Sequence, residues 1–415
     1  MENNTQLKEM IRSMVIDVLQ GQNQESASSQ PIKQAPRDQV EPGVFDTVDD
    51  AIQAAKAAQA RFEDCTLATR EKVIADIRAA MRPRVQELAQ KTVEETGMGR
   101  VADKVLKLNL TLDKTPGVED LVTECETGDN GMTLYELSAY GVIGAITPST
   151  NPAETLICNT IGMLAAGNAV FFSVHPGAKH LSRLLVSELN QIIAKSIGIE
   201  NLIVTLREPS IESAQEMMLH PDVSLLVVTG GPGVVKQALQ SGKKVIGAGA
   251  GNPPAFVDET ADIKKAAQDI VLGASLDNNI LCIAEKSVVA MRQIEPQLVQ
   301  EMVKAGCVLI ENQQDIQRLV DLTVLPNGTP NKKFVGKNAS VILDAAHIPY
   351  NGDPRLIIMR TPKDHPFAVI EMLMPILPVV TVDSFDEGLD VCLMLEAGLH
   401  HTATMHSLNM ERLNR

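Results

Sequence analysis

Cys282 stands in the run Ala274-Ser-Leu-Asp-Asn-Asn-Ile-Leu-Cys-Ile-Ala-Glu-Lys286, just behind three consecutive polar side chains, Asp277, Asn278 and Asn279. A lone cysteine is more often a small packing residue than a nucleophile. The polar run ahead of this one turns the reading toward a site, because a thiolate can add to an electrophilic carbon and hold it covalently. Two glycine clusters could approach a phosphate. Thr229-Gly-Gly-Pro-Gly233 follows an expected strand and precedes an expected helix, the context of a nucleotide loop, but it lacks the G-x-G-x-x-G spacing and a plain tight turn is an equal alternative. Gly247-Ala-Gly-Ala-Gly251 also follows a strand, yet Pro253 and Pro254 come where a pyrophosphate-binding helix would begin, so its glycines serve close backbone approach instead. His400 and His401 are adjacent and cannot both face one metal ion; ordinary hydrogen bonding is their expected role, and no residue is assigned to a metal.

Positioning these residues calls for an α/β frame. From Gly141 onward, short apolar runs at 142–146, 169–172, 201–204 and 224–228 alternate with helical stretches from about Ala153, from about Ala178 and near 210–219. That alternation predicts βαβ units and a parallel sheet. A second α/β pattern begins after the Gly/Pro-rich stretch 247–254, which divides the chain into a domain over 44–246 and another over 247–415. An amphipathic helix over 261–272, ended by Gly273, leads into the cysteine segment. Ahead of the first sheet, helical patterns run through 47–63 and 69–95. Thr127-Gly-Asp-Asn-Gly131 predicts a hairpin whose Asn-Gly pair supplies positive φ angles, within a β-arm at about 120–138. At the N-terminus Leu7, Met10, Ile11, Met14, Val15, Val18 and Leu19 form one apolar stripe of a helix over 1–20. The Gln/Ser/Pro-rich segment 21–43 reads as a flexible linker. The first helix is expected to dock on a partner or to fold back onto the body.

Composition narrows the partners. A chain of 415 residues, 44% of them hydrophobic, exceeds what one core usually organises, in keeping with two domains. A net charge of −15 would repel nucleic acid and anionic membranes, which leaves a small-molecule substrate as the expected partner. The six cysteines, Cys65, Cys125, Cys158, Cys282, Cys307 and Cys392, form no Cys-x-x-Cys pair, and this scatter suits a reducing cytoplasmic compartment. No apolar run approaches the ~18–20 residues of a membrane helix, and no signal peptide opens the chain.

Seven segments in order resemble those of CoA-acylating aldehyde dehydrogenases: Glu94-Glu-Thr-Gly-Met-Gly99, Thr147-Pro-Ser-Thr-Asn-Pro152, His175-Pro-Gly-Ala-Lys179, 229–233, 247–254, 274–286 and Glu371-Met-Leu-Met-Pro-Ile-Leu-Pro378. The propionaldehyde-acting members of propanediol-utilisation microcompartments are most similar, the acetaldehyde-acting members of ethanolamine utilisation next. The likeness covers about 44–415, with a similar N-terminal helix ahead of it. It implies two doubly wound α/β domains, one binding NAD and one catalytic, with the β-arm serving a dimer or tetramer.

The same resemblance assigns roles. Cys282 becomes the nucleophile: its thiolate attacks the aldehyde, the thiohemiacetal loses hydride to NAD, and coenzyme A takes the acyl group from the thioester. Thr147 and Pro148 correspond to the loop beneath the nicotinamide. Thr150 falls where hydrolytic relatives place the oxyanion asparagine, with Asn151 one step away, so the donor is the Asn151 amide, the Cys282 N–H, or both. Thr229, Gly230 and Gly231 are expected at the pyrophosphate, Val234 near the adenosine, and Gly249 within the same cofactor site. His175 stands where relatives carry a ribose-binding lysine. Glu371 matches the glutamate that holds the nicotinamide ribose; its plainer reading is an exposed carboxylate. Hydrolytic relatives place a glutamate base where this chain has Gly247-Ala-Gly, and losing that base slows thioester hydrolysis by ~10²–10⁴-fold, so CoA can compete for the acyl group. The expected substrate is a short-chain aldehyde, propionaldehyde first and acetaldehyde as the alternative. Residues 1–20 are expected to bind a shell or core protein and bring the enzyme into a microcompartment lumen. Because the family continues beyond the point matched by Arg415, impaired assembly and catalysis, down to an inactive cargo protein, is the remaining expectation.

Overall fold

The computed structural model describes residues 41–415, so the expected helix over 1–20 and all but the end of the linker over 21–43 lie outside the described residues. That end is already part of the folded body. The Gly43 carbonyl accepts from the Thr205 N–H (2.8 Å), and a Cβ on Gly43 would lie 2.1 Å from Asn190 Nδ2. Strand β1 (Val44–Phe45) follows.

Helices Val48–Glu63 and Leu67–Met81 begin at Thr47 and Thr66, whose hydroxyls accept from the N–H groups of Asp50 and Thr69. The helix expected over 69–95 is interrupted. Pro83 has no N–H to donate, and a 3₁₀ turn at Arg82–Arg84 carries the chain into helix Val85–Thr96. Helix Val101–Lys114 precedes a hairpin of β2 (Glu124–Gly128) and β3 (Gly131–Tyr135), antiparallel with Glu124 opposite Tyr135 and exposed throughout. Its turn departs from the expected Asn-Gly geometry: neither Asp129 nor Asn130 has positive φ, and Gly131 alone takes it, at 146°.

The first sheet continues with β4 (Val142–Ile146), β5 (Ala169–Ser173), β6 (Ile203–Leu206), β7 (Val223–Thr229) and β8 (Lys244–Ala248), in the order β1-β6-β5-β4-β7-β8, every pair parallel. Strands β4 and β5 are buried at every position, the pattern of a parallel sheet covered by helices. The order grows outward from β4 in both directions, so right-handed crossovers place helices on both faces.

The chain changes sheet between Ala248 and Pro254, so β8 straddles the domain boundary drawn at 246/247. The second sheet contains β9 (Pro254–Val257), β10 (Ser287–Met291), β11 (Cys307–Leu309), β12 (Leu356–Arg360), β13 (Ile376–Val382) and β14 (Thr404–His406), ordered β11-β12-β13-β10-β9-β14 and again parallel. Between β9 and β10 runs helix Ile263–Ser275. Gly273 does not end it. A Cβ there would stand 2.5 Å from Glu285 Oε2, so the glycine lets the helix pass close to the strand entrance. Among the described residues, no helix is long and apolar enough to cross a membrane.

Candidate active site

The two sheets present opposite edges to the site. In the first, the chain leaves the carboxyl ends of β4, β5, β7 and β8 at Thr147, near His175, at Thr229 and at Gly249. Strand β4 is where the order reverses, and the crevice beyond such a reversal is where open α/β sheets take ligands. In the second sheet, the adjacent strands β13, β10, β9 and β14 are entered by segments carrying Glu371, Cys282, Gly251 and His401. These four meet. A Cβ on Gly251 would lie 2.8 Å from the Cys282 carbonyl oxygen and 2.9 Å from two ring carbons of His401. The Gly251 N–H donates to Glu371 Oε1 at 3.1 Å.

The loop that delivers Cys282 is built by the polar run before it. Asp277, Asn278 and Asn279 all have left-handed backbones (φ 51°, 57° and 65°), costing of order 1–3 kcal/mol each unless their surroundings hold them. They are held by buried hydrogen bonds. Asn279 Nδ2 donates to the carbonyls of Ala274 (2.7 Å) and Glu285 (2.9 Å), and Asn278 Nδ2 to Gly336 O and Asn338 Oδ1 (both 2.8 Å). The Asp277 carboxylate accepts from the Arg100 N–H (2.9 Å), Lys104 Nζ (3.0 Å) and Lys107 Nζ. The run that singled out this segment is scaffold, turning the chain from the helix into β10.

Lys286 is the residue that sequence reasoning missed. Its ammonium, buried with the residue 3% exposed, donates to Asn279 O (2.9 Å), Asn279 Oδ1 (2.7 Å) and Leu281 O (2.7 Å). A lysine at the mouth of the apolar run Ser287–Met291 was the available signal. Burial pushes it down to about 8. Burial also pushes the Cys282 thiol up, and the Glu371 carboxylate adds to that, while Lys286 and the N–H groups of Cys282 and Ile283 act the other way. Glu371 is itself raised, again chiefly by burial.

Across the crevice, the loop after β4 is tied to the same Asp277. Lys104 and Lys107, one turn apart on helix Val101–Lys114, reach Thr150 O (3.2 Å) and Asn151 Oδ1 respectively, and Lys107 pairs with Glu154 at 3.3 Å. Asn151 Nδ2 in turn donates to Thr150 Oγ1 (3.3 Å), so both ends of that amide are already engaged. Thr147 is 2% exposed and its hydroxyl has no partner, while Pro148 is half-buried.

The remaining residues cluster around helix Pro232–Leu239. It starts after Gly231 with no side-chain cap, which leaves its first N–H groups open to an anion. A Cβ on Gly230 would sit 2.7 Å from Val234 Cγ1, so the close turn after Thr229 requires glycine there. Val234 packs on the first core; Val235, Pro232, Lys236 and Leu239 line a cleft of about 510 Å³ together with 247–250 and 399–401. Gly249 lies in that lining. His175 is exposed, and its Nδ1 accepts from the Gly177 N–H (3.0 Å), which makes it the cap of the 3₁₀ turn Pro176–Ala178. An uncapped helix start, a buried unpartnered hydroxyl at Thr147 and a half-buried Glu371 together fit a nicotinamide nucleotide. No group of metal-binding side chains occurs among the described residues.

Residues 19–415 match the aldehyde dehydrogenase family. The propanal dehydrogenase (CoA-propanoylating) of Salmonella typhimurium is 50% identical over 373 residues, covering 90% of this chain and 80% of that one. The acetaldehyde dehydrogenase (acetylating) EutE of the same organism is 45% identical over 381 residues, with 90% and 81% covered. Among solved structures, the Rhodopseudomonas palustris propionaldehyde dehydrogenase with bound CoA and an acylated cysteine is 47% identical with a TM-score of 0.88, covering 90% of this chain and 86% of that one. A propionaldehyde dehydrogenase from the fucose utilisation microcompartment of Clostridium phytofermentans also reaches 0.88, at 46% identity and with 90% and 86% covered. With Cys282 in a buried, hydrogen-bonded loop at the entrance of β10, and with these relatives, the chain belongs to the aldehyde dehydrogenase family, among its CoA-acylating members.

Proposed function

We propose that the protein oxidises a short-chain aldehyde, propionaldehyde foremost, with NAD, and passes the acyl group from Cys282 to coenzyme A. The observation that carries this is the gathering of Cys282, Glu371 and His401 around Gly251, in a chain half identical to a CoA-propanoylating enzyme. The Cys282 thiolate adds to the aldehyde carbon, and the resulting oxyanion is received by the Cys282 N–H with the Thr150 hydroxyl beside it. Asn151 is better suited to fixing Thr150, because its amide spans Lys107 and the Thr150 oxygen. A nicotinamide nucleotide, when bound, would supply the hydride acceptor. Glu371 would hold its ribose, Thr147 and Pro148 would lie beneath its ring, and Thr229, Gly230, Gly231 and the helix start they lead into would hold its pyrophosphate, with Gly249 alongside and Val234 and His175 toward the adenosine end. The thioester then remains on Cys282. Segment 247–250 offers only glycine and alanine, without a carboxylate to activate water, so a CoA thiolate attacks instead and Cys282 leaves as thiolate.

Propionaldehyde, NAD and CoA together should yield NADH and propionyl-CoA in equal amounts, and without CoA the NADH should stop at about one equivalent per site, the acyl group staying on the enzyme. Steady propionate release without CoA would overturn the reading in favour of hydrolysis. Two further parts of the proposal concern assembly. The exposed hairpin β2–β3, with Met132, Leu134 and Tyr135 on its surface, suits pairing with another copy of the chain. The apolar stripe of residues 1–20, and the microcompartment origin of the Clostridium relative, support a role for that segment in directing the enzyme into such a shell.

A further inference from the structure

We propose that Asn252 is a positioning residue that ties two arms of the active site together: its one amide nitrogen holds the helix end that leads to Glu371 and the helix end that leads to His401. The inference rests on the proposed reaction at Cys282, with Glu371 as the ribose ligand of the nucleotide.

Asn252 follows Gly251, the glycine around which the site gathers, and is 2% exposed. Its Nδ2 donates to Ala368 O and to Leu395 O, both at 2.8 Å. Each carbonyl stands at the end of a helix, where the intrahelical ladder leaves C=O groups without a partner: Ala368 in Pro366–Val369, and Leu395 in the last turn of Phe385–Glu396. From Ala368 the chain reaches Glu371 in three residues. Leu395 is joined to Glu396, whose Oε1 accepts the His401 N–H at 3.1 Å and whose carbonyl accepts the Leu399 N–H at 3.2 Å. The Gly251 N–H on Glu371 Oε1 closes the first arm into a ring, and Pro253 O accepts the Lys286 N–H (2.8 Å) at the entrance of β10. Residues 251–253 thus touch the segments entering β13, β14 and β10, and Asn252 alone of the three does so through a hydrogen-bonding side chain.

The two acceptors select an amide. Both are carbonyl oxygens in a buried place, so the side chain between them needs two N–H donors and no charge, which asparagine supplies at this length. A carboxylate would set negative oxygens against both carbonyls, and a hydroxyl has a single proton to give. The amide can face only one way, because turning it over would bring Oδ1 against the same two carbonyls. In the orientation it takes, Oδ1 is buried with no partner among the described residues, so the two donated bonds outweigh an acceptor left unpaired. A side chain that merely filled the space would carry no such cost.

The test is the steady-state kinetics of Asn252→Asp, which keeps the shape of the side chain and replaces its two-proton donor by an oxygen, with thermal unfolding measured in parallel. At a temperature where both proteins are folded, kcat should fall at least about tenfold and the KM for NAD should rise several-fold, since Glu371 and His401 lose a common anchor and misplacement by about 1 Å can cost ~10²-fold. The ratio of variant to wild-type kcat should also fall from about pH 6 to about pH 9: burial raises the new carboxyl, which when protonated can still donate to one carbonyl and when ionised to neither. A residue that only caps two helices predicts a lower Tm with wild-type kcat and KM. That result, or a ratio that is flat or rises with pH, overturns the proposal. If Asn252→Asp does not fold, the His401 arm is tested one bond further out. Glu396→Ala removes the acceptor of the His401 N–H and should lower kcat while leaving the KM for NAD, and Glu396→Gln, which keeps an Oε1 acceptor, should restore it; wild-type kcat in Glu396→Ala overturns the coupling of this arm and the proposal with it. The underlying reaction fails separately: NADH formation by Cys282→Ala would refute the nucleophile, whereas an inactive Cys282→Ala beside a wild-type Asn252→Asp would refute only the role of Asn252.

Discussion

Gly251→Ala should slow the enzyme at least about tenfold while leaving it folded. The added carbon would stand 2.8 Å from the Cys282 carbonyl oxygen and 2.9 Å from the His401 ring. To reach an ordinary contact of 3.4 Å, the carbonyl must retreat by about 0.6 Å and the ring by about 0.5 Å. The ring can turn about its side-chain bonds. The carbonyl is backbone and can retreat only by carrying Cys282 with it, against the hold of Lys286 on Leu281 and of the hydrogen-bonded run 277–279. Overpacking of this size costs about 1–3 kcal/mol, less than the ~5–15 kcal/mol that holds a typical domain folded. Catalysis is less forgiving: misplacing reacting atoms by about 1 Å can cost ~10²-fold, so a half-ångström shift of the nucleophile should cost about tenfold or more. The measurement pairs steady-state NADH formation, with propionaldehyde, NAD and CoA all present, with thermal unfolding of both proteins. A Tm lower by only a few degrees and a kcat at least tenfold lower are expected. Wild-type kcat in the variant would refute the claim that Gly251 is wedged between nucleophile and histidine.

Lys104→Met should lower the denaturation midpoint markedly, because Lys104 and Asp277 are both fully buried and breaking such a pair costs about 3–5 kcal/mol; an unchanged midpoint in urea would show that the lysine clamp across the crevice does not hold the halves together. Residues 1–20 fused to a fluorescent protein should be recruited to microcompartments in a host that makes them, and diffuse fluorescence would refute their role as an address.

What the sequence revealed depended on how local the cause was. Strand β4 falls on the expected residues 142–146 because five buried apolar positions leave a parallel strand little alternative. The run expected at 201–204 lies two residues later, at Ile203–Leu206, since Asn201 adopts a left-handed backbone (φ 64°) before the strand can start. Pro83 breaks a helix that apolar spacing alone would have continued, and Gly273 fails to end one because its lack of a side chain serves Glu285 instead. At the site, Cys282 is marked by the polar run before it and given its role by resemblance, Glu371 is legible through resemblance alone, and His401 is expected only to make ordinary hydrogen bonds. Its place beside Gly251 follows from β14 pairing with β9, with Thr404 opposite Ala255, a contact between segments far apart in the chain. Lys286 escaped notice because nothing in a single lysine before a strand says that three oxygens of the preceding loop will enclose it.

The left-handed run 277–279 carries a practical consequence. Its hydrogen bonds go to Ala274, Glu285, Gly336, Asn338, Arg100, Asp103 and three lysines, Lys104, Lys107 and Lys286, and none of these bonds involves the Cys282 sulfur. The shape of the loop is thus encoded separately from the atom it displays. An engineer could swap that atom, for a hydroxyl or a selenol, and inherit the same presentation, which makes the loop an interchangeable socket and the nucleophile a replaceable part.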